Sequence, residues 1–123
     1  MQSRIGGLMN TDIKKQLDSI CNILDFHKGH AITTVDLAEQ SVIADYFVIA
    51  DGATAQQVKS MADYLEEGMD KLQLRPIREE GYADGKWIVL DYGDIIVHLF
   101  RKEERDYFAL ERLWNNGRNL SEH

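Results

Sequence analysis

Apolar residues recur along this chain with two spacings, and the changes from one to the other mark out its elements. Ile13, Leu17, Ile20, Cys21 and Leu24 fall three or four apart, the stripe of a helix with one buried side. Asn10-Thr11-Asp12 supplies a cap for it, and Lys28-Gly29 an end. Ala31 to Leu37 alternates and contains Val and Thr, which predicts a strand. Val42 to Ala50 is almost wholly apolar around Tyr46-Phe47-Val48-Ile49, the pattern of a central strand buried on both faces. Asp51-Gly52 breaks it. Thr54 and Gln57 have the spacing of a capping box. Val58, Met61, Ala62, Leu65, Met69 and Leu72 then form a second helical stripe, closed by Arg75-Pro76. Gly68 sits inside that stripe, where glycine costs about 1 kcal/mol relative to alanine.

Ile77 to Tyr82 is short and polar, which predicts an outlying strand, and Asp84-Gly85 is a hairpin signal. Trp87 to Tyr92 and Ile95 to Phe100 read as two further strands, joined tightly at Tyr92-Gly93. A last helix starts near Lys102 with Tyr107, Leu110, Leu113 and Trp114 on one side. The order is helix, two strands, helix, three strands, helix. The first two strands can form a hairpin, the second helix allows a parallel crossover, and the last three strands form a meander. The expected fold is α+β, a single domain with one mixed five-stranded sheet and packed helices. Residues 1–10 read as an N-terminal extension, 11–116 as the domain and 117–123 as a frayed tail.

If Tyr92-Gly93 is a two-residue turn, Asp91 faces Asp94, Val89 faces Ile96 and Trp87 faces His98. Alternation then gathers Trp87, Val89, Asp91, Asp94, Ile96 and His98 on one face. Ile88, Leu90, Tyr92, Ile95, Val97 and Leu99 take the other, which should lie under the helices. The mixed face offers an aromatic anchor, aliphatic contact and two carboxylates, a composition suited to docking on a basic partner. A plainer reading makes Trp87 ordinary core and lets the aspartates flank a turn.

Charge changes this picture. The 123 residues carry a net charge of −7. Affinity for bare nucleic acid rests largely on Lys and Arg against phosphates, so direct specific nucleic-acid binding is not expected and a basic partner is. The single cysteine, Cys21, rules out an internal disulfide. No apolar run approaches the roughly 18 residues of a membrane span. Met1 to Asn10 lacks the apolar stretch of a signal peptide. The expected setting is the cytoplasm, away from membranes.

Catalytic and metal sites are poorly supported. Asp91 and Asp94 resemble the carboxylates that hold metal ions for nucleotidyl transfer, so a nucleotide-binding or nucleotidyltransferase-type enzyme is the alternative reading. The nearest phosphate loop, Asp51-Gly52 before the second helix, places an aspartate where it would repel phosphate. His27 and His30 lack a third ligand at metal spacing, and a solvated helix end explains them. His98 reads as a hydrogen-bonded sheet residue, and Cys21 as packing. Asp63, Glu66, Glu67 and Asp70 read as a solvated acidic helix face, and Asp45 as a turn or cap residue. No cofactor, metal or catalytic residue is expected.

Three segments carry a resemblance to a known family: Asp45-Tyr46-Phe47-Val48-Ile49-Ala50, the block from Trp87 to Phe100 (WIVLDYGDIIVHLF), and Arg105 to Trp114 (RDYFALERLW). Over residues 12–115 the chain resembles the ribosomal silencing factor (Iojap-related) family. The resemblance implies a nucleotidyltransferase-like fold without catalysis. It also implies a translation repressor that binds the large ribosomal subunit through ribosomal protein L-fourteen and blocks joining of the small subunit. A homodimer of the uncomplexed protein is left open. Asp51 departs from the family, which usually has a small hydroxyl or sulfur residue there. On this basis Trp87, Ile88, Asp91, Asp94, Glu79, Glu80 and Tyr82 are the expected partner-binding residues.

Overall fold

The computed structural model describes residues 6–37 and 43–108. The elements run α1 (Gly6–Phe26), β1 (His30–Asp36), β2 (Tyr46–Gly52), α2 (Ala55–Asp70), β3 (Arg78–Glu80), β4 (Trp87–Asp91), β5 (Ile95–Arg101) and α3 (Lys102–Phe108). This is the predicted element order. The sheet has the order β1-β2-β5-β4-β3. β2 and β5 run parallel, as the crossover through α2 requires, and the other neighbours are antiparallel.

α1 and α2 lie on one face of the sheet. Ile20, Leu24, Val58, Met61, Leu65 and Met69 meet Val48, Ala50, Ile88, Leu90, Ile95, Val97 and Leu99 there, all at most 1% exposed. Gly68 serves this packing: a Cβ on it would stand 2.6 Å from Ile23 Cδ1, so glycine lets the two helices approach. A smaller cluster on the opposite face holds Val35, Leu37, Ala44, Ile49, Ile96 and Phe100, with Phe47, Trp87 and Val89 against it.

Several boundaries differ from expectation. α1 begins at Gly6, upstream of the Asn10–Asp12 cap. Cap-prone side chains inside a helix cost only a few tenths of a kcal/mol each, too little to end it. α2 opens as predicted, with Gln57 N donating to Thr54 Oγ1 at 3.1 Å, while Gln57 Oε1 accepts from Ala53 N at 2.8 Å. It closes at Asp70, so Leu72 leaves the stripe and is 51% exposed. The link from β3 to β4 is a longer turn, closed by Gly85 N donating to Gly81 O at 3.1 Å. Leu110, Leu113 and Trp114 lie outside the described residues.

The β4–β5 register is the most consequential correction. Tyr92 N donates to Ile95 O at 2.9 Å, and Gly93-Asp94 form the tip with Gly93 at φ 92°. Glycine at the first tip position suits a tight hairpin turn with positive φ there. Asp91 therefore pairs with Ile96, Val89 with His98 and Trp87 with Phe100; the expected Asp91–Asp94 and Trp87–His98 pairings do not form. The slip is two residues, which preserves the division of faces.

Candidate docking face and the Asp51–Arg105 centre

The face turned away from α1 and α2 carries the aromatic residues singled out in the sequence. The half-buried Trp87 stacks on Phe100, ring centroids 5.1 Å apart and planes 24° apart. Its indole Nε1 donates to His98 Nδ1 at 3.1 Å. Phe47 meets the His98 ring edge-on at 4.4 Å. Burial pushes His98 down to about 4, so the ring is neutral at ordinary pH. Glu80 lies opposite Val89 and Arg78 opposite Asp91, which puts both on this same face.

Asp91 is engaged within the chain. Its Oδ1 accepts from Gly93 N at 2.8 Å, fixing the turn, and its Oδ2 accepts from Arg78 Nη2 at 3.2 Å. Asp94 sits at the turn tip, and its carbonyl accepts from Asp45 N and Tyr46 N at 2.8 and 3.1 Å. Asp45 thus ties the turn to the start of β2.

The other expected contact residues lie elsewhere. Ile88 is 0% exposed in the core under the helices. Strand alternation sends it there, so it drops out of any docking patch. Glu79 pairs with Leu90 and shares the α2 side of the sheet. Tyr82 also lies against α2, with its Oη donating to Asp63 Oδ2 at 3.1 Å and the Lys59 ammonium 5.7 Å from its ring centre. Burial first, then the hydrogen bond that protonated Glu66 can donate to Glu79 and the Glu79 charge, push the Glu66 carboxyl up to about 7. Glu66, on the acidic face of α2, therefore holds its proton more tightly than a solvated carboxyl does. The structure splits the expected residues into Trp87, Asp91 and Glu80 on one face, Glu79 and Tyr82 on the other, Asp94 at a tip and Ile88 inside.

A second centre was not anticipated. Asp51, at the end of β2, is 3% exposed. Its Oδ2 accepts from Arg105 Nη1 at 3.0 Å, and its Oδ1 meets His30 Nδ1 at 2.9 Å. Arg105 also donates to Ala31 O at 2.6 Å and Thr33 Oγ1 at 3.0 Å, joining α3 to β1 and β2. The Asp51 carboxylate is thus matched by a buried guanidinium instead of facing a phosphate loop. Beside it lies a cavity of about 250 Å³ lined by Lys28, His30, Gly52, Ala53, Gln57 and Lys102. His27 stacks on Tyr64 at 3.8 Å, so neither histidine is a bare helix-end group. One signal was available in the sequence: an aspartate closing a strand buried on both faces needs a cationic or hydrogen-bonding partner.

Asp51 stands beside Phe100, whereas Asp91 stands beside Ile96. Four residues of β5 separate the two rungs, roughly 13 Å at strand spacing. These carboxylates do not converge on one ion. Among the described residues, no group of three or more His, Cys, Asp or Glu is placed to hold a metal. No helix of the described residues is long and apolar enough to cross a membrane.

These features define a small α+β protein with a mixed five-stranded sheet and an aromatic face opposite its two long helices. A family model described as "Ribosomal silencing factor during starvation" matches residues 10–123, and the chain belongs to that family. It is 40% identical to the ribosomal silencing factor of Zymomonas mobilis over 86% of this chain and 80% of that one. It is 27% identical to a mouse protein named "Mitochondrial assembly of ribosomal large subunit protein 1", over 82% of this chain and 46% of that one. A crystal structure from Chromobacterium violaceum superposes with a TM-score of 0.81 at 26% identity, over 83% of this chain and 85% of that one.

Proposed function

We propose that this protein represses translation by docking on the large ribosomal subunit through ribosomal protein L-fourteen, where it occupies space the small subunit needs. The observation that carries this reading is Trp87. It is a half-buried aromatic packed with Val89 on one face of the sheet, and the same face carries Glu80, opposite Val89, and Asp91, at the far end of β4. Aromatic anchors ringed by polar groups are the usual energetic centre of a docking surface. The net charge of −7 favours a basic protein over bare RNA. Family membership supplies the ribosomal setting, and the acting unit is the domain over residues 11–116, working in the cytoplasm.

The action is steric and needs no cofactor. Asp51 and Asp91 sit at opposite ends of the sheet, and each is engaged by an arginine of this chain. That argues for a regulator rather than a nucleotidyl-transfer enzyme, because fold likeness alone does not confer chemistry. Sucrose-gradient sedimentation of purified subunits with and without the protein tests the reading. The protein should co-migrate with large subunits and lower the yield of joined ribosomes. Unchanged joining at saturating protein would refute it.

A further inference from the structure

His98 is a polar ring in apolar surroundings. It lies between Ile49 of β2 and Val89 of β4, with Phe47 and Phe100 against it. An indole N–H can only donate, so the 3.1 Å contact from Trp87 makes His98 Nδ1 the acceptor. The neutral ring must then carry its proton on Nε2. That nitrogen is buried and finds no hydrogen-bond partner among the described residues.

A buried donor without an acceptor is destabilising, and a leucine or phenylalanine here would avoid that cost. Packing therefore does not account for the histidine. What the ring does provide is a fixed acceptor for Trp87. Stacking on Phe100 sets the plane of the indole, and the bond at Nε1 sets its rotation within that plane. A large aromatic fixed in one orientation before contact loses less conformational freedom on binding.

We propose that His98 is a positioning residue for docking, holding the Trp87 indole in the orientation that its partner meets. This rests on Trp87 being the anchor, and it adds a residue that touches no partner itself. The bond requires a neutral ring, a condition that burial secures at ordinary pH.

The test compares full-length Trp87→Ala, His98→Leu and His98→Asn in binding to purified large subunits, with thermal melts of each. Asparagine offers an oxygen near the position of Nδ1, whereas leucine offers none. His98→Leu should weaken binding about tenfold or more without lowering the melting point, while His98→Asn stays within about threefold of wild type, as expected for loss and rescue of a pre-organised anchor. If His98→Leu binds like wild type while Trp87→Ala does not, the positioning role is wrong and the anchor stands. If Trp87→Ala itself binds like wild type, the anchor reading fails and takes this one with it. Equal losses from the leucine and asparagine variants would overturn the acceptor role. Should the leucine variant fail to fold, long-range ¹H–¹⁵N spectra of the wild-type histidine rings decide the matter. A proton on Nε2 of His98 is expected, and a proton on Nδ1 would overturn the proposal.

Discussion

Arg105 offers the sharpest test of how the fold is held. Replacing it by methionine keeps most of the apolar stem but removes the guanidinium. The Asp51 and Arg105 side chains are 5% and 8% exposed, so the carboxylate would stay buried with His30, itself 65% exposed, as its remaining side-chain hydrogen-bond partner among the described residues. Removing one partner of a buried ion pair typically costs about 3–5 kcal/mol. The bonds to Ala31 O and Thr33 Oγ1 are lost as well, which favours the upper half of that range. For a domain of this size the loss corresponds to a melting point lower by roughly 10–20 °C. Urea unfolding of Arg105→Met, Asp51→Leu and the double variant closes a thermodynamic cycle. The double variant should recover part of the loss, with a coupling of about 2 kcal/mol or more. A single-variant loss below about 1 kcal/mol, or simple additivity, would show that the pair contributes no more than an exposed one.

Two further outcomes follow from the charges around β3. Glu66, raised to about 7 by burial and then by Glu79, favours folding while it holds its proton. That contribution is complete below the ordinary carboxylate range and is lost as pH rises through 7. Glu66→Gln should therefore melt higher than wild type at pH 8 and lose that advantage near pH 5; an equal offset at both would refute the raised carboxyl. Asp91→Asn keeps an acceptor for Gly93 N and loses only an exposed pairing with Arg78, so it should fold within about 1 kcal/mol of wild type. Asp91→Lys places a cation against Arg78 and against a basic partner, and should bind large subunits more weakly than Asp91→Asn. Negligible losses from both would remove Asp91 from the interface.

Much of the fold was legible because its signals are local. The stripe from Val58 to Met69 and the alternation from Trp87 to Leu99 are periodic, and each assigned its buried side correctly. The β4–β5 register was not legible from apolar pattern, since a slip of two leaves that pattern intact. Gly93 decided it through its positive φ. Leu72 matched the helical spacing, but the chain turns at Lys71 before that spacing can be used. The candidate docking face was only half visible. Trp87 and Asp91 were placed on one side, yet the Arg78 that engages Asp91 lies on a three-residue strand with little pattern of its own. The Asp51–Arg105 pair spans 54 positions, and no helical or strand periodicity reaches that far.

The two outermost strands bear on how this protein behaves while it waits for a partner. A bare strand flank invites another chain to add on, which leads to polymer rather than to regulated binding. At one flank β3 has only three residues, Arg78, Glu79 and Glu80, all charged and exposed. At the other, β1 is interrupted between His30 and Thr33, and the Ala31 carbonyl is already taken by Arg105. Neither flank offers a clean ladder for recruitment by strand addition. Copies of this chain are discouraged from polymerising as the pool of uncomplexed protein grows.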